Sequence, residues 1–186
     1  MANINKFSTV SPDTFLKAGS DMAFAKFGHL NAVVDAYNTL DTSVTFGMPV
    51  EAVVTTQFDK TSDVTLANVP GLSVNVLAGA TYVFRAYLPV TSAVGSGIKV
   101  GNGGTATFTN ISESAMFYTA ITVATATAAA SGSIGGSTAL VTFSIIEGTF
   151  KVNAAGTFTI QFAQNASNAT ACSVLINASL TVTRVS

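Results

Sequence analysis

Residues 81–88, which read TYVFRAYL, decide the fold class of this chain. Apolar side chains occupy every second position of the stretch. Because successive side chains of a β-strand point to opposite faces, this period of two predicts a strand that is buried on one side. The predicted buried face consists of Tyr82, Phe84, Ala86 and Leu88.

The same alternation recurs later in the chain. It is clear at 156–162 (GTFTIQF) and at 171–182 (ACSVLINASLTV). The second stretch is predicted as one continuous strand, with Cys172 and Ile176 both facing the core. Glycine-rich turn signals separate these runs. About eight strands at this spacing indicate a mainly β protein, an antiparallel β-sandwich of the jelly-roll type.

The composition predicts how this sandwich deals with its surface. Charged residues make up 9% of the 186 residues, against about 25% in ordinary globular domains. The formal net charge of −1 argues against nucleic-acid or anionic-membrane partners, which need a basic footprint. No apolar run approaches the roughly 20 residues of a membrane-spanning helix. A sandwich with so few charges is expected to bury one face in a homo-oligomer.

The amino-terminal part is different in character, since residues 1–63 carry eleven of the seventeen charges. We assign 1–47 to a short, partly helical arm and 48–186 to the jelly-roll head. Four apolar residues of the arm are spaced by three, four and three positions, as on one side of an amphipathic helix or short coiled coil. The helix either packs on its own domain or serves for attachment and oligomerisation. These four residues are Phe27, Leu30, Val34 and Tyr37.

Catalytic and metal-binding patterns are weak. His29 is the only histidine, lies in the predicted helix, and would have to serve any Ser-His-acid triad. Asp59 and Asp63 lie four positions apart in a predicted loop, for which a calcium site is a minor alternative to a solvated loop. Cys172 is the only cysteine, which excludes an intrachain disulfide. Glu113 and Glu147 are isolated in the sequence, so we expect no enzyme, no cofactor and no metal.

Three residues are candidates for contacting a ligand: Tyr87, Asn102 and Tyr118. The tyrosines could stack on sugars, although cross-strand packing is the commoner role of such residues. Asn102 belongs to the GNGG run at 101–104, which lacks the Lys-Ser/Thr of a phosphate loop and is predicted to be a hairpin turn. Ligand loops are expected at 91–104 and 131–138.

Three segments together resemble a known group of proteins. They are LAGATY at 77–82, GTATF at 104–108, and GTFTIQFAQ at 156–164 followed by a closing strand that ends on Thr183-Arg184-Val185. Their order is similar to that of the small jelly-roll domains of tailed-bacteriophage fibres and capsid appendages. Those domains resemble tumour-necrosis-factor and complement-type heads. The resemblance implies a non-enzymatic trimer that is attached to a virion through its amino-terminal segment.

Two classes of function follow. The first is a structural virion protein, a capsid decoration or head fibre, whose partners are its own copies and the capsid or another phage structural protein. The second is a fibre-tip module that recognises host surface glycans. Both imply location in the virion after assembly in the host cytoplasm, without nucleic-acid binding or membrane insertion. A secreted bacterial adhesin is a third, weaker alternative, disfavoured by the absence of a signal-like amino terminus.

Overall fold

The computed structural model of the protein describes residues 47–119, 123–130 and 132–186. Gly47–Ser186 forms one compact unit. The described residues contain twelve strands and no helix: β1 (Pro49–Val53), β2 (Phe58–Lys60), β3 (Ala67–Val76), β4 (Thr81–Thr91), β5 (Ile98–Gly103), β6 (Thr107–Thr119), β7 (Val123–Ala128), β8 (Ser133–Ser137), β9 (Val141–Ala154), β10 (Gly156–Gln164), β11 (Cys172–Val174) and β12 (Ser179–Arg184).

The strands form two antiparallel sheets that pack as a sandwich. The large sheet has the order β1-β12-β4-β9-β6-β7, and the small sheet has the order β3-β10-β5-β8. Eight of these strands pair in a nested way: β1 with β12, β3 with β10, β4 with β9, and β5 with β8. A long hairpin rolled into two sheets produces this nesting, so the predicted jelly roll is confirmed.

A β-hairpin is inserted between the fourth and fifth strands of the jelly roll. Strand β6 pairs with β9, and β7 pairs with β6 and forms the outer edge of the large sheet. The short strands β2 and β11 extend the same sheet beside β4. The insertion widens the large sheet to six strands along its main path, whereas the small sheet has four.

The core lies between the sheets and is rich in phenylalanine. Along β4 buried and exposed residues alternate as the sequence predicted. Phe84 packs edge-on against Phe158 of the opposite sheet at a centroid distance of 4.8 Å, and Phe150 stacks on Phe158 at 4.5 Å. Phe108 and Tyr82 contact Phe150 at 5.2 and 5.3 Å. Aromatic pairs at these distances add to the stabilisation from burial and join the two sheets.

The prediction of one continuous strand over 171–182 was wrong. The chain forms β11 and β12 with a turn between them, and Ile176 is 54% exposed instead of buried. Asn177 has a φ of 67°, a left-handed conformation that asparagine tolerates better than most residues and that ends a strand. The Asn177 N–H donates to the carbonyl of Val54 (2.9 Å), which ties the turn to the end of β1. Cys172 is fully buried, as predicted.

The two predicted ligand loops, 91–104 and 131–138, are largely strand, although residues 92–97 do connect β4 to β5 outside any strand. Residues 98–103 form β5 and residues 133–137 form β8, and these two strands pair in the small sheet. The GNGG run is not a hairpin turn, because β5 lies in the small sheet and the next strand lies in the large one. Gly104, with a φ of 108°, stands where the chain crosses between the sheets. A Cβ there would lie 2.2 Å from the Thr157 carbonyl oxygen, so glycine allows the close approach.

Some predictions lie outside the described residues. Residues 1–46 of the proposed arm are not among them. This part includes the apolar residues Phe27, Leu30, Val34 and Tyr37, and also His29. The boundary at residue 47 therefore stays a prediction.

Replacing Leu88 by alanine tests the assignment of the core. Leu88 is fully buried on β4, so Leu88→Ala should lower the free energy of unfolding by about 2–5 kcal/mol. The control is Leu77→Ala, because Leu77 is 57% exposed and its truncation should change stability by less than about 0.5 kcal/mol. Urea unfolding of both variants at one protein concentration measures the difference. Equal losses would show that the inner faces are assigned wrongly.

Candidate interaction surface

The outer face of the large sheet is the candidate site of this protein. Strand register places its outward residues in rows that cross six strands. We call the first the polar row: Glu51, Thr181, Arg85, Glu147, Ser114 and Thr127. We call the second the apolar row, although it includes hydroxyl residues: Val53, Ser179, Tyr87, Ile145, Met116 and Thr125.

An ion pair occupies the centre of the polar row. The Arg85 Nε and Nη2 atoms donate to the same oxygen, Glu147 Oε2, at 2.9 and 2.5 Å. Arg85 Nη1 also donates to the Tyr87 hydroxyl at 3.3 Å. The bond with Glu147 is the main reason why the pKa of Arg85 is raised. The two charges neutralise each other, so the middle of the face carries no net charge.

A shallow depression covers this part of the face. Its volume is about 1080 Å³, and it is open to solvent. Besides Arg85, Tyr87 and Glu147, hydroxyl side chains line it. Those hydroxyl residues are Ser112, Ser114, Thr127, Thr149, Thr181 and Thr183.

An aromatic group continues the apolar row towards one end of the sheet. Phe143 lies between two tyrosines, with centroid distances of 6.3 Å to Tyr87 and 6.0 Å to Tyr118. Tyr87 is 38% exposed, and Val53 in the same row is 45% exposed. Met116 and Ile145 are half-buried. Tyr87, Ile145 and Met116, adjacent on β4, β9 and β6, therefore form a partly exposed apolar area on the outer face.

The structure separates the three candidate ligand residues. Tyr87 and Tyr118 lie on the outer face and share Phe143 as a neighbour, as the cross-strand alternative predicted. Asn102 does not join them. It is 1% exposed and lies on β5 between the sheets, so its predicted position in a surface loop was wrong.

Asn102 takes part in a buried polar contact that links the two sheets. Its Nδ2 donates to Glu113 Oε1, and its Oδ1 accepts the N–H of Gly132 at 3.3 Å. Glu113 is 4% exposed, and its second oxygen, Oε2, is buried with no hydrogen-bond partner among the described residues. Burial raises the pKa of Glu113 to about 8, while the bond from Asn102 acts in the opposite direction.

The two candidate acid/base carboxylates do not come together, and the described residues hold no metal-binding cluster. Glu113 faces the interior, whereas Glu147 lies on the outer face, so the two carboxylates stand on opposite sides of one sheet. Within the described ranges, no group of three or more His, Cys, Asp or Glu residues is close enough to hold a metal ion. Asp63 binds the ammonium of Lys60 and accepts the Thr65 N–H, and these bonds lower its pKa to about 2. No helix among the described residues is long and apolar enough to cross a membrane.

Sequence reasoning missed the residues at the centre of the outer face. Phe143, Ile145 and Glu147 come from β9, and only strand register brings them beside β4. A signal did exist for Glu113, which occupies the buried register of β6 between Ile111 and Ala115. A carboxylate at such a position is a reason to expect a buried partner.

Exchanging Glu113 for glutamine tests the raised pKa. The folded pKa of about 8 exceeds the ordinary value of 4.5, so the folded state binds the proton more tightly than the unfolded state. The wild type should therefore lose stability as pH rises between these values, whereas Glu113→Gln should not. We expect the Tm of the variant to exceed that of the wild type increasingly from pH 5 to about 9.

The wild type, measured over the same pH range, is the control, because every other ionisable group is common to the two proteins. Parallel Tm curves for the wild type and Glu113→Gln over this range would contradict the assignment.

Comparison with protein-family models finds no match, and comparison with curated proteins finds none. Among solved structures, one similar chain comes from the structure of infectious bursal disease virus, Gx strain. The two chains share 14% sequence identity, with a TM-score of 0.18. The match covers 73% of this chain and 40% of the viral chain, so this chain spans about two fifths of its length. A TM-score of 0.18 is too low to indicate a shared fold. The fold assignment therefore depends on the strand topology alone.

Proposed function

We propose that this chain is a non-enzymatic structural protein of a bacteriophage virion, a capsid decoration or head fibre. In this proposal three copies assemble through their jelly-roll heads, and the arm at 1–47 docks the trimer on the particle. The phage assignment derives from the sequence resemblance to fibre and appendage domains. The location in the virion, after assembly in the host cytoplasm, is part of the same proposal.

The observation that carries the proposal is the character of the outer face of the large sheet. A soluble domain usually carries many charged side chains of both signs on its exposed faces. Here the central charges are paired with each other, and the neighbouring apolar row is partly exposed. A surface of this kind is suited to burial against another protein surface, as assembly requires.

Glycan recognition is a second candidate function, and the depression on the outer face favours it. Arg85 and Glu147 offer hydrogen-bond donors and acceptors beside the exposed ring of Tyr87. Sugars are bound by such combinations of planar polar groups and aromatic rings. The candidate glycan site lies on the outer face of the large sheet and not in the predicted loops, because residues 98–103 and 133–137 are strands.

The mass of the purified full-length protein in solution tests the trimer. One chain has a mass of 18.9 kDa, so light scattering should give about three times that value over a wide range of concentrations. A stable monomer would refute assembly through the heads and would favour the glycan candidate.

Removal of the arm tests the docking assignment. A protein that starts at residue 48 should keep the β-rich circular dichroism spectrum of the head, because the twelve strands found among the described residues all lie beyond that residue. It should fail to join virions in a complementation experiment that the full-length protein passes. Incorporation of the shortened protein into particles would show that residues 1–47 are not the anchor.

A further inference from the structure

We infer that the protonated carboxyl group of Glu113 holds one flank of the sandwich closed, and that loss of this proton opens the flank. We call this part the hairpin flank: strand β7, strand β8 and the described residues between them, which are 123–130 and 132–137. The inference does not depend on the proposed function, because it concerns contacts within one chain.

Glu113 reaches the interior because its neighbours in the large sheet are small. Its cross-strand partners are Ala128 on β7 and Gly148 on β9. A Cβ built on Gly148 would lie 2.8 Å from both the Cα and the Cβ of Glu113, so the glycine leaves space for the longer side chain. Along β6, Ile111 and Ala115 occupy the same buried register. The carboxyl group therefore lies among small and apolar residues.

Asn102 joins three parts of the sandwich at this carboxyl group. Its backbone N–H donates to the Gly132 carbonyl at 2.9 Å, and its side-chain oxygen accepts the Gly132 N–H at 3.3 Å. The other polar atom of the side chain, Nδ2, donates to Glu113 Oε1. Hydrogen bonds from one residue of β5 therefore hold both β6 and the connection between β7 and β8.

The two edge strands meet at this flank without pairing with each other. Strand β7 pairs with β6 in the large sheet, and β8 pairs with β5 in the small one. They approach closely, since a Cβ built on Gly135 would lie 2.5 Å from the Ala126 Cβ. A contact between an alanine and a glycine buries little apolar area and stabilises little. The hydrogen bonds of Asn102 therefore matter more for closure here than they would in the phenylalanine-rich centre.

One hydrogen bond is too little to stabilise an ionised carboxylate at this position. Glu113 is 4% exposed, and its Oε2 has no partner among the described residues. An ionised group that is buried without an opposite charge is strongly destabilising. A neutral carboxyl group can instead accept the bond from Asn102 at its carbonyl oxygen. Opening of the flank lets water reach the carboxylate, so ionisation favours the open form.

None of the charged side chains on the strands around Glu113 shares the interior with it. The ionisable residues on these strands are Lys99 on β5, Tyr118 on β6, and Glu147 and Lys151 on β9, whereas β7 and β8 have none. Lys99 and Asn102 are three positions apart on one strand, so their side chains point to opposite faces. Tyr118 and Glu147 lie on the outer face, and Lys151 is exposed.

The direction of the pH dependence follows from the two states of Glu113. Burial raises its pKa to about 8 in the closed form, against an ordinary value of 4.5 for a hydrated carboxyl group. The closed form therefore binds the proton more tightly, and its stability falls as the pH rises towards 8. Between pH 5 and 8 the open population should increase by up to about tenfold per pH unit, and above that range it should level off.

Amide hydrogen exchange of the full-length wild type between pH 5 and 8 tests the inference. Labelling times are scaled to the intrinsic exchange rate at each pH, so that the remaining differences report opening. Peptides from the hairpin flank should lose protection by up to about tenfold per pH unit. Peptides from the centres of β4 and β9 should keep their protection, because the flank opens without unfolding the sandwich.

The matched variant is Glu113→Gln. Its amide oxygen can accept the bond from Asn102, and it cannot ionise. Exchange of the hairpin flank, scaled in the same way, should therefore be independent of pH in this variant. All other ionisable groups are common to the two proteins, so the comparison isolates the carboxyl group.

The outcomes decide the inference in both directions. A pH-dependent loss of protection that is confined to the hairpin flank and absent from Glu113→Gln would support it. Unchanged protection of the flank in the wild type would overturn it. So would an equal loss over β4 and β9, which would mean that the whole sandwich unfolds, or an equal loss in Glu113→Gln, which would assign the effect to another group. If the variant does not fold, the distribution of exchange in the wild type still decides.

Discussion

The contact between the two sheets through their phenylalanine side chains is the interaction on which the rest of the structure depends. Phe84 and Phe150 of the large sheet meet Phe158 of the small one. Because this contact requires every second residue of the central strands to face inward, it also determines which residues face outward. Arg85, Tyr87 and their neighbours lie on the outer face for that reason.

The inserted hairpin gives the protein an asymmetric sandwich. Strands β6 and β7 widen one sheet only, and they bring Ser114, Met116 and Tyr118 beside the outward residues of β9. The same insertion places Glu113 between the sheets, where Asn102 of β5 donates to it. One added element thus creates the broad outer face and the buried polar contact behind it. A hydrogen-bonded pair within an apolar core also favours one relative position of the sheets.

A wide sheet with few charged residues is poorly protected against association, and the proposed assembly would bury such a face. Hydroxyl side chains are easier to remove from water than ionic ones. The outer face combines hydroxyl groups, an internally satisfied ion pair and an apolar row. Each of these features lowers the cost of covering the face with another protein surface.

The sequence by itself determined the class of fold, because alternation in TYVFRAYL and GTFTIQF is local and follows directly from strand geometry. It also determined the burial of Cys172 and Tyr82. It did not reveal the break at Asn177, where a backbone hydrogen bond to Val54 stabilises a turn inside an apparently regular pattern. Nor did it reveal the buried site of Asn102 or the pairing of Arg85 with Glu147, 62 residues away. Only the tertiary structure decided these, because strand register between distant segments depends on packing of the whole sandwich.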